Sequence, residues 1–167
     1  MTTLVANADY NTMAEADFVA RFGFLFEHSP WVVERAAKHR PFADLHAGLM
    51  AAVYEAGEDQ QLDLIRAHPE LAGKAAIAGD LTDSSVHEQA SAGLDKLTPA
   101  EYEQFHTLNA AYRARFDFPF IICVRLTDKA GILQAMQDRL QNSRAQELTT
   151  ALEQIGEIVR LRLGDIT

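Results

Sequence analysis

The sequence predicts an all-α fold, a single-domain compact helical bundle of about eight helices, on three observations. Apolar residues recur at the three- and four-residue spacing of amphipathic helices through most of the chain. Only 5 prolines and 9 glycines punctuate the 167 residues, and the segments between them have the pattern of helices. Neither a repeat nor a linker is visible, so residues 1–167 are expected to form one domain, with 1–12 a loosely ordered N-terminal segment.

The first half of the chain is predicted to hold four helices. Pro30 suits the first turn of the second helix, where its missing N–H costs nothing. Pro69 fixes the chain sharply after the fourth helix, and a polar loop is expected over 72–83. The four helices are expected at 14–27, 30–39, 43–56 and 58–67.

Four more helices are predicted in the second half. Thr98-Pro99-Ala100-Glu101 is a strong helix start, with a capping Thr, a Pro at the first position and a Glu three residues on. Phe116–Leu126 is ambiguous: it is either an extended segment or a short buried helix, and Pro119 forbids a central strand. The four helices are expected at 85–97, 99–115, 129–141 and 144–164.

Composition excludes several classes of function. Lys and Arg number 15 against 24 Asp and Glu, and no basic cluster occurs, so we expect neither a nucleic-acid partner nor an anionic membrane. Cys123 is the sole cysteine, so no disulfide forms within the chain, and its apolar neighbours predict burial. The 6 histidines lack metal-ligand spacing, so no metal site is expected. The first ten residues do not resemble a secretory signal, which favours the cytoplasm.

Arg162 interrupts the apolar face of the last helix. The line Leu148, Leu152, Ile155, Val159, Arg162 follows helical spacing, whereas Arg160 lies off it. A guanidinium on an apolar face needs a carboxylate or an anionic ligand, because it cannot lose its charge. Arg162 therefore binds a substrate, pairs with a core carboxylate, or extends its charged group to solvent at the end of the helix.

The helix predicted at 85–97 has an unusual polar strip. Its core side is expected to comprise Val86, Ala90, Gly93, Leu94 and Leu97. Ser85, Glu88, Gln89 and Ala92 form an adjacent strip that suits the wall of a polar pocket. Ser85 and Glu88 also match the S-x-x-E pattern of a capping box, so a structural explanation is equally available.

His68 lies in Ala67-His68-Pro69-Glu70-Leu71, at the end of an amphipathic helix. A histidine in this position often only compensates the helix dipole. Its ordinary pKa near neutrality also suits proton transfer, which makes His68 a candidate acid or base.

These segments together resemble the 2-oxo-4-hydroxy-4-carboxy-5-ureidoimidazoline (OHCU) decarboxylase family of urate catabolism. The motifs occur in order over roughly residues 17–166, and each is weak alone. One small departure is Asp117, where glycine is commoner in the family. The matching motifs are Ser29-Pro30-Trp31, Arg40-Pro41-Phe42, Ala67-His68-Pro69-Glu70-Leu71, Ser85-x-x-Glu88-Gln89-x-x-Ala92-Gly93-Leu94, Leu108-Asn109-x-x-Tyr112, Phe116-x-Phe118-Pro119-Phe120-Ile121 and Arg162-Leu163.

The resemblance implies an all-helical, cofactor-free carboxy-lyase that forms a homodimer and converts OHCU to (S)-allantoin. It implies that His68, Glu88 and Arg162 are the reacting residues. It also implies the substrate contacts Pro69, Ser85, Gln89, Phe118, Pro119, Phe120 and Ile121. The competing class is a non-catalytic helical binding or interaction module, in which His68, Glu88 and Arg162 are structural. Hydrolysis of 5-hydroxyisourate is disfavoured, because the chain lacks an all-β pattern.

Overall fold

The computed structural model describes residues 10–73, 79 and 81–166. Within these ranges the chain forms eight α-helices, two short 3-10 turns and no strand, so the all-α prediction is confirmed. Residues 1–9, and residues 74–78 and 80 of the expected loop at 72–83, lie outside the described residues. The helices are α1 (Glu15–Phe22), α2 (Pro30–Ala37), α3 (Leu45–Tyr54), α4 (Glu58–Arg66), α5 (Asp83–Ser91), α6 (Pro99–Phe116), α7 (Lys129–Arg139) and α8 (Arg144–Ile166).

The chain divides into two compact units. The first comprises Met1–Ala67 and Gly156–Thr167, and the second comprises His68–Ile155. The boundary at the C-terminal side falls inside α8. The expectation that 1–167 is one domain stays a prediction.

In the first unit, α2 packs against both α1 and α3, around a core of fully buried Phe, Leu and Val side chains. Helix α3 begins where Asp44 Oδ2 accepts a hydrogen bond from Ala47 N, at 2.8 Å. Arg40, after α2, donates to the carbonyl oxygens of Tyr10 at 3.0 Å and Met13 at 2.6 Å. The first residue of the Arg-Pro-Phe motif therefore has a structural role, which is to anchor the start of the described chain.

In the second unit, α6 packs against α7, and α5 packs against the 3-10 turn Val124–Leu126. Helix α6 begins with the predicted capping box: Thr98 Oγ1 accepts from Glu101 N, and Glu101 Oε1 accepts from Thr98 N. The hydrogen bond from the Thr98 backbone is the largest cause that lowers the pKa of Glu101. Helix α6 ends at Phe116, and the φ of 62° at the following residue, Asp117, explains why glycine suits this position.

Three predicted helix features are wrong. The first helix ends at Phe22, and a 3-10 turn at Gly23–Leu25 follows it, instead of continuing to 27. Helix α5 spans Asp83–Ser91 rather than 85–97, because Gly93 at φ 78° turns the chain soon after it. The capping box at Ser85 and Glu88 is absent, since the Thr82 side chain caps this helix by accepting from Ser85 N at 3.2 Å.

The ambiguous segment at 116–126 forms neither a strand nor a continuous helix. Phe116 ends α6, residues 117–123 have no regular secondary structure, and Val124–Leu126 forms a 3-10 turn. Cys123 is buried at 2% exposure, as expected from its apolar neighbours. Among the helices of the described ranges, none has both the length and the apolar character required to cross a membrane.

Candidate functional site

His68 is a buried residue at the start of the second unit. Helix α4 ends at Arg66, and the chain reaches His68 two residues later. The imidazole is 7% exposed, and Pro69 follows it directly. Pro69 has a fixed φ and no backbone N–H, so it limits the paths that the chain takes after His68. The local sequence thus places a titratable ring in a largely dehydrated position.

His68 lines a cavity of about 390 Å³ within the second unit. The cavity is of a size suited to a small polar molecule. Glu70 and Arg113, on its wall, form an ion pair of 2.8 Å between Oε1 and Nε. The lining residues are His68, Pro69, Glu70, Ala72, Gly73, Tyr102, His106, Asn109 and Arg113. Six of these nine side chains have polar or ionisable groups, so the cavity can bind a ligand by hydrogen bonds.

Gln89 lies on a second cavity of about 470 Å³, also in the second unit. Ala72 and Tyr102 line both cavities, so the two share part of their walls. Gln89 Oε1 accepts a hydrogen bond from Ala72 N at 3.1 Å. The structure therefore brings one predicted substrate contact, Gln89, to the short segment that begins with His68.

The polar strip of α5 is its buried face, and the prediction for the apolar side is largely wrong. Ser85 is 5% exposed, Gln89 6% and Ala92 9%, whereas Val86 is 46% exposed. Glu88 is half-buried on the same helix. Of the expected core side, Leu94 is buried at 6%, but it lies beyond the end of the helix. Burial of Ser85 and Gln89 instead of Val86 favours a polar wall over an ordinary amphipathic packing face.

The predicted contacts Phe118–Ile121 form a buried segment that aromatic packing holds in place. Phe118 and Phe120 pack edge-on against the Tyr112 ring, with centroids 6.0 Å and 5.3 Å away. Arg139 lies over the Phe120 ring at 4.2 Å and donates through Nη1 to the Ile121 carbonyl oxygen at 2.7 Å. The side chains of this segment serve the core, so its backbone is the part that suits a ligand contact.

Arg139 belongs to a buried network that the sequence patterns did not reveal. Glu147 is fully buried and accepts from Tyr112 Oη at 2.6 Å, Arg139 Nε at 2.7 Å and Asn142 Nδ2 at 2.9 Å. Burial, and then the hydrogen bond to Glu147, raise the pKa of Tyr112 well above its ordinary value. The network fixes the Arg139 guanidinium that holds Ile121.

Arg162 lies in the first unit and pairs with a buried carboxylate. Its Nη2 donates to Glu27 Oε1 at 2.6 Å, and its Nη1 donates to the Phe24 carbonyl oxygen at 3.1 Å. Arg162 is 3% exposed and Glu27 2%. The pairing with a core carboxylate, one of the alternatives for Arg162, is therefore observed, and a role of Arg162 in substrate binding stays a prediction. Within the described ranges, no group of three or more His, Cys, Asp or Glu residues is arranged to hold a metal ion.

Sequence reasoning missed three polar contributors. Glu27 precedes the Ser29-Pro30-Trp31 motif, but an acidic residue in a polar stretch gives no signal of burial. Asn109 stands in the Leu108-Asn109-x-x-Tyr112 motif, but its amide side chain has no chemistry that distinguishes it from other polar residues. Glu147 was missed because the apolar line through α8 was begun one residue later, at Leu148, although Glu147 precedes Ala151 and Ile155 at a regular four-residue spacing.

The comparisons with known proteins agree with one another. The model of the OHCU decarboxylase family matches residues 11–164. A protein of Halalkalicoccus jeotgali named 2-oxo-4-hydroxy-4-carboxy-5-ureidoimidazoline decarboxylase is 42% identical over 170 residues, covering 100% of this chain and 94% of that protein. A protein of Haloferax volcanii with the same name is 42% identical over 158 residues, covering 93% of this chain and 92% of that protein.

A solved structure described as an (S)-allantoin synthase matches 95% of this chain and 53% of that one. Its TM-score is 0.74 at 32% sequence identity. This match extends the similarity from sequence to the arrangement of the helices.

Proposed function

The chain belongs to the OHCU decarboxylase family, and we propose that it decarboxylates OHCU to (S)-allantoin, the last step in the oxidation of urate to allantoin. The observation that carries this proposal is the family match over nearly the whole chain. The position of buried His68 on a cavity with several polar side chains supports it independently. The similarity to relatives named for this activity makes the enzymatic function a better account than a non-catalytic binding module.

The chemistry of the substrate explains why no cofactor is required. The carboxylate of OHCU is on a carbon that bears a hydroxyl group and adjoins a ring C=N bond. When the bond to CO₂ breaks, its electron pair moves into the C=N, so the substrate provides its own electron sink. The protein has to orient the carboxylate out of the ring plane, stabilise the developing charge and direct a proton to one face.

We assign His68 the role of acid or base in this reaction. Its imidazole either removes the proton of the substrate hydroxyl or delivers the final proton to the ring. The position of His68 on a cavity wall with Asn109 and Tyr102 supports a contact with a polar ligand. Burial of the ring also supports this role, since exclusion of water strengthens hydrogen bonds to a developing charge.

We assign the remaining motif residues to binding. Glu88 holds or polarises the hydroxyl and ureido side of OHCU, and Arg162 binds an anionic or carbonyl oxygen through its guanidinium. Both roles rest on the motif match. The polar wall of α5, with Ser85 and Gln89 buried, supports placing the Glu88 helix at the substrate. The further proposed contacts are Pro69, Ser85, Gln89, Phe118, Pro119, Phe120 and Ile121.

Replacement of His68 by Asn tests the catalytic proposal. A positioned acid or base contributes about 10²- to 10⁴-fold to a rate, so His68→Asn should lower kcat by that factor and leave the helical circular dichroism unchanged. The assay generates OHCU from urate in situ and follows (S)-allantoin by circular dichroism, because the spontaneous product is racemic. His87→Asn is the matched control, since His87 is exposed on α5.

Two outcomes would contradict the proposal. If wild-type protein gives only racemic allantoin at the spontaneous rate, the chain is not an OHCU decarboxylase. If His68→Asn equals the wild type in rate and stereochemistry, the enzyme works without His68. The expected homodimer and cytoplasmic location are further proposals that rest on the resemblance and the sequence. Light scattering and cell fractionation test them.

A further inference from the structure

One peptide group just after His68 is held from both sides by buried side-chain amides. Asn109 Nδ2, on α6, donates to the Leu71 carbonyl oxygen at 2.9 Å. Gln89 Oε1, on α5, accepts from Ala72 N at 3.1 Å. The carbonyl of Leu71 and the N–H of Ala72 belong to the same peptide unit. We call Asn109, Gln89 and this peptide group the peptide clamp.

The peptide clamp holds a backbone conformation that is costly by itself. Ala72 has φ 53°, in the left-handed region, where an L-residue other than glycine is disfavoured by about 1 kcal/mol. Such a conformation persists where surrounding contacts define it. Asn109 is 5% exposed and Gln89 6%, so water cannot readily replace their hydrogen bonds. The clamp therefore fixes the path of the chain from Ala72 back towards His68.

We infer that Asn109 is a positioning residue that sets the place of the His68 imidazole through the peptide clamp. Only Pro69 and Glu70 separate His68 from the held carbonyl at Leu71, and Pro69 restricts one of the intervening torsions. Asn109 and His68 also line the same cavity, so the His68 ring and the Asn109 side chain can contact the same ligand. This inference rests on the proposed function, because it gives the position of His68 a catalytic purpose.

The isosteric substitution Asn109→Asp tests the inference. An ionised carboxylate has no hydrogen to donate, so it leaves the Leu71 carbonyl unsatisfied while preserving the shape of the side chain. Asn109→Leu, which has neither a donor nor a charge, is made beside it, and the two variants should agree. A displacement of about 1 Å in a reacting group can cost about 10²-fold in rate. We expect kcat to fall by about 10- to 100-fold, with KM little changed. The fall in kcat should be present at every pH of the profile. Gln104→Glu, an exposed amide-to-acid change on α6, is the matched control.

A second measurement does not depend on turnover. In protein with isotopically labelled histidine, His68→Asn identifies the ring resonances of His68. Asn109→Asp should move these resonances and leave those of His39 unchanged, whereas Gln104→Glu should move neither. If Asn109→Asp does not fold, Asn109→Ser provides the same comparison, because a serine hydroxyl is too short to replace the amide.

The outcomes separate this inference from the proposed function. Shifted His68 resonances together with a selective loss of kcat support it. Unmoved resonances in a folded variant overturn it, as does unchanged kcat per folded molecule. A rise in KM as large as the fall in kcat also overturns it, because Asn109 would then bind substrate. If the wild type has no decarboxylase activity, the proposed function fails, while the resonances still decide whether Asn109 positions His68.

Discussion

The buried face of α8 has a charged side chain near each end, and the two ends differ in what surrounds them. Glu147 begins the face in the second unit, and Arg162 lies on it in the first. Each forms a short ion pair, Glu147 with Arg139 at 2.7 Å and Arg162 with Glu27 at 2.6 Å. Removal of either pairing would leave a charge inside the protein, which is costly.

Burial does not distinguish the two ion pairs, but their hydrogen-bond partners do. Both Glu147 oxygens accept hydrogen bonds from side chains, and the Arg139 partner continues to the Ile121 carbonyl. That arrangement is a structural network around an aromatic cluster. Arg162, by contrast, stands in a family motif, and its contacts to Phe24 and Glu27 involve adjacent parts of one short segment. Pairing alone therefore does not distinguish a supporting arginine from a reacting one, so stability and turnover have to be measured separately.

The largest combined effect is expected from Arg162→Met. Loss of one partner of a buried pair costs about 3–5 kcal/mol in the free energy of unfolding, because Glu27 remains charged or must take up a proton. Removal of a hydrogen-bond donor to developing charge lowers kcat by about 10²- to 10³-fold. Urea unfolding and the allantoin assay measure the two quantities on the same preparation.

The double variant Arg162→Met with Glu27→Met distinguishes a structural role of Arg162 from a role in substrate binding. Replacement of both buried charges should restore much of the stability, since an apolar pair of similar volume avoids the desolvation cost. Turnover should stay low if Arg162 binds the substrate. Recovery of turnover together with stability would make Arg162 a purely structural partner. Arg160→Met is the control, because Arg160 is exposed and pairs only with nearby Glu157 among the contacts described for it.

Glu147→Gln should give a stability effect of similar size without the catalytic one. The substitution removes the negative charge opposite Arg139, and about 3–5 kcal/mol of unfolding free energy should be lost. Arg139 can still donate to Ile121, so turnover per folded molecule should persist. Glu157→Gln, in an exposed pair, should change stability by less than about 1 kcal/mol. A Glu147→Gln variant that is stable but inactive would reverse the assignment of the two pairs.

The sequence predicted the fold class and the helices because both depend on local periodicity. Thr98 and Glu101 formed their capping box as expected, since all the groups involved lie within four residues. The place of Arg162 in an apolar stripe predicted that it needs either a carboxylate partner or an anionic ligand. Its partner was not identifiable, because Glu27 lies 135 residues away and only tertiary packing brings the two together.

The errors in α5 have a common cause. The spacing of apolar residues does not reveal which face of a helix is buried when the buried side chains are polar, as Ser85 and Gln89 are. Thr82 replaced Ser85 as the cap because a helix start depends on the backbone before it as well as on an S-x-x-E pattern. The role of Asn109 was equally hidden, since its target is a backbone carbonyl, which every residue has.

Tyr112→Phe should have the smallest of these effects, and it tests whether the role of Glu147 is structural. The ring packing is kept, while one of the three donors to Glu147 is lost, so about 1–2 kcal/mol should be lost near neutral pH. The raised pKa of Tyr112 means that the folded protein favours the protonated phenol. Above pH about 10, an unfolded tyrosine releases its proton while Tyr112 in the folded protein retains it, so stability falls as the pH rises. Urea unfolding at pH 8 and pH 11 should therefore show a larger alkaline loss for the wild type than for Tyr112→Phe. Equal losses would mean that Tyr112 ionises without unfolding, and that Glu147 does not require it as a donor.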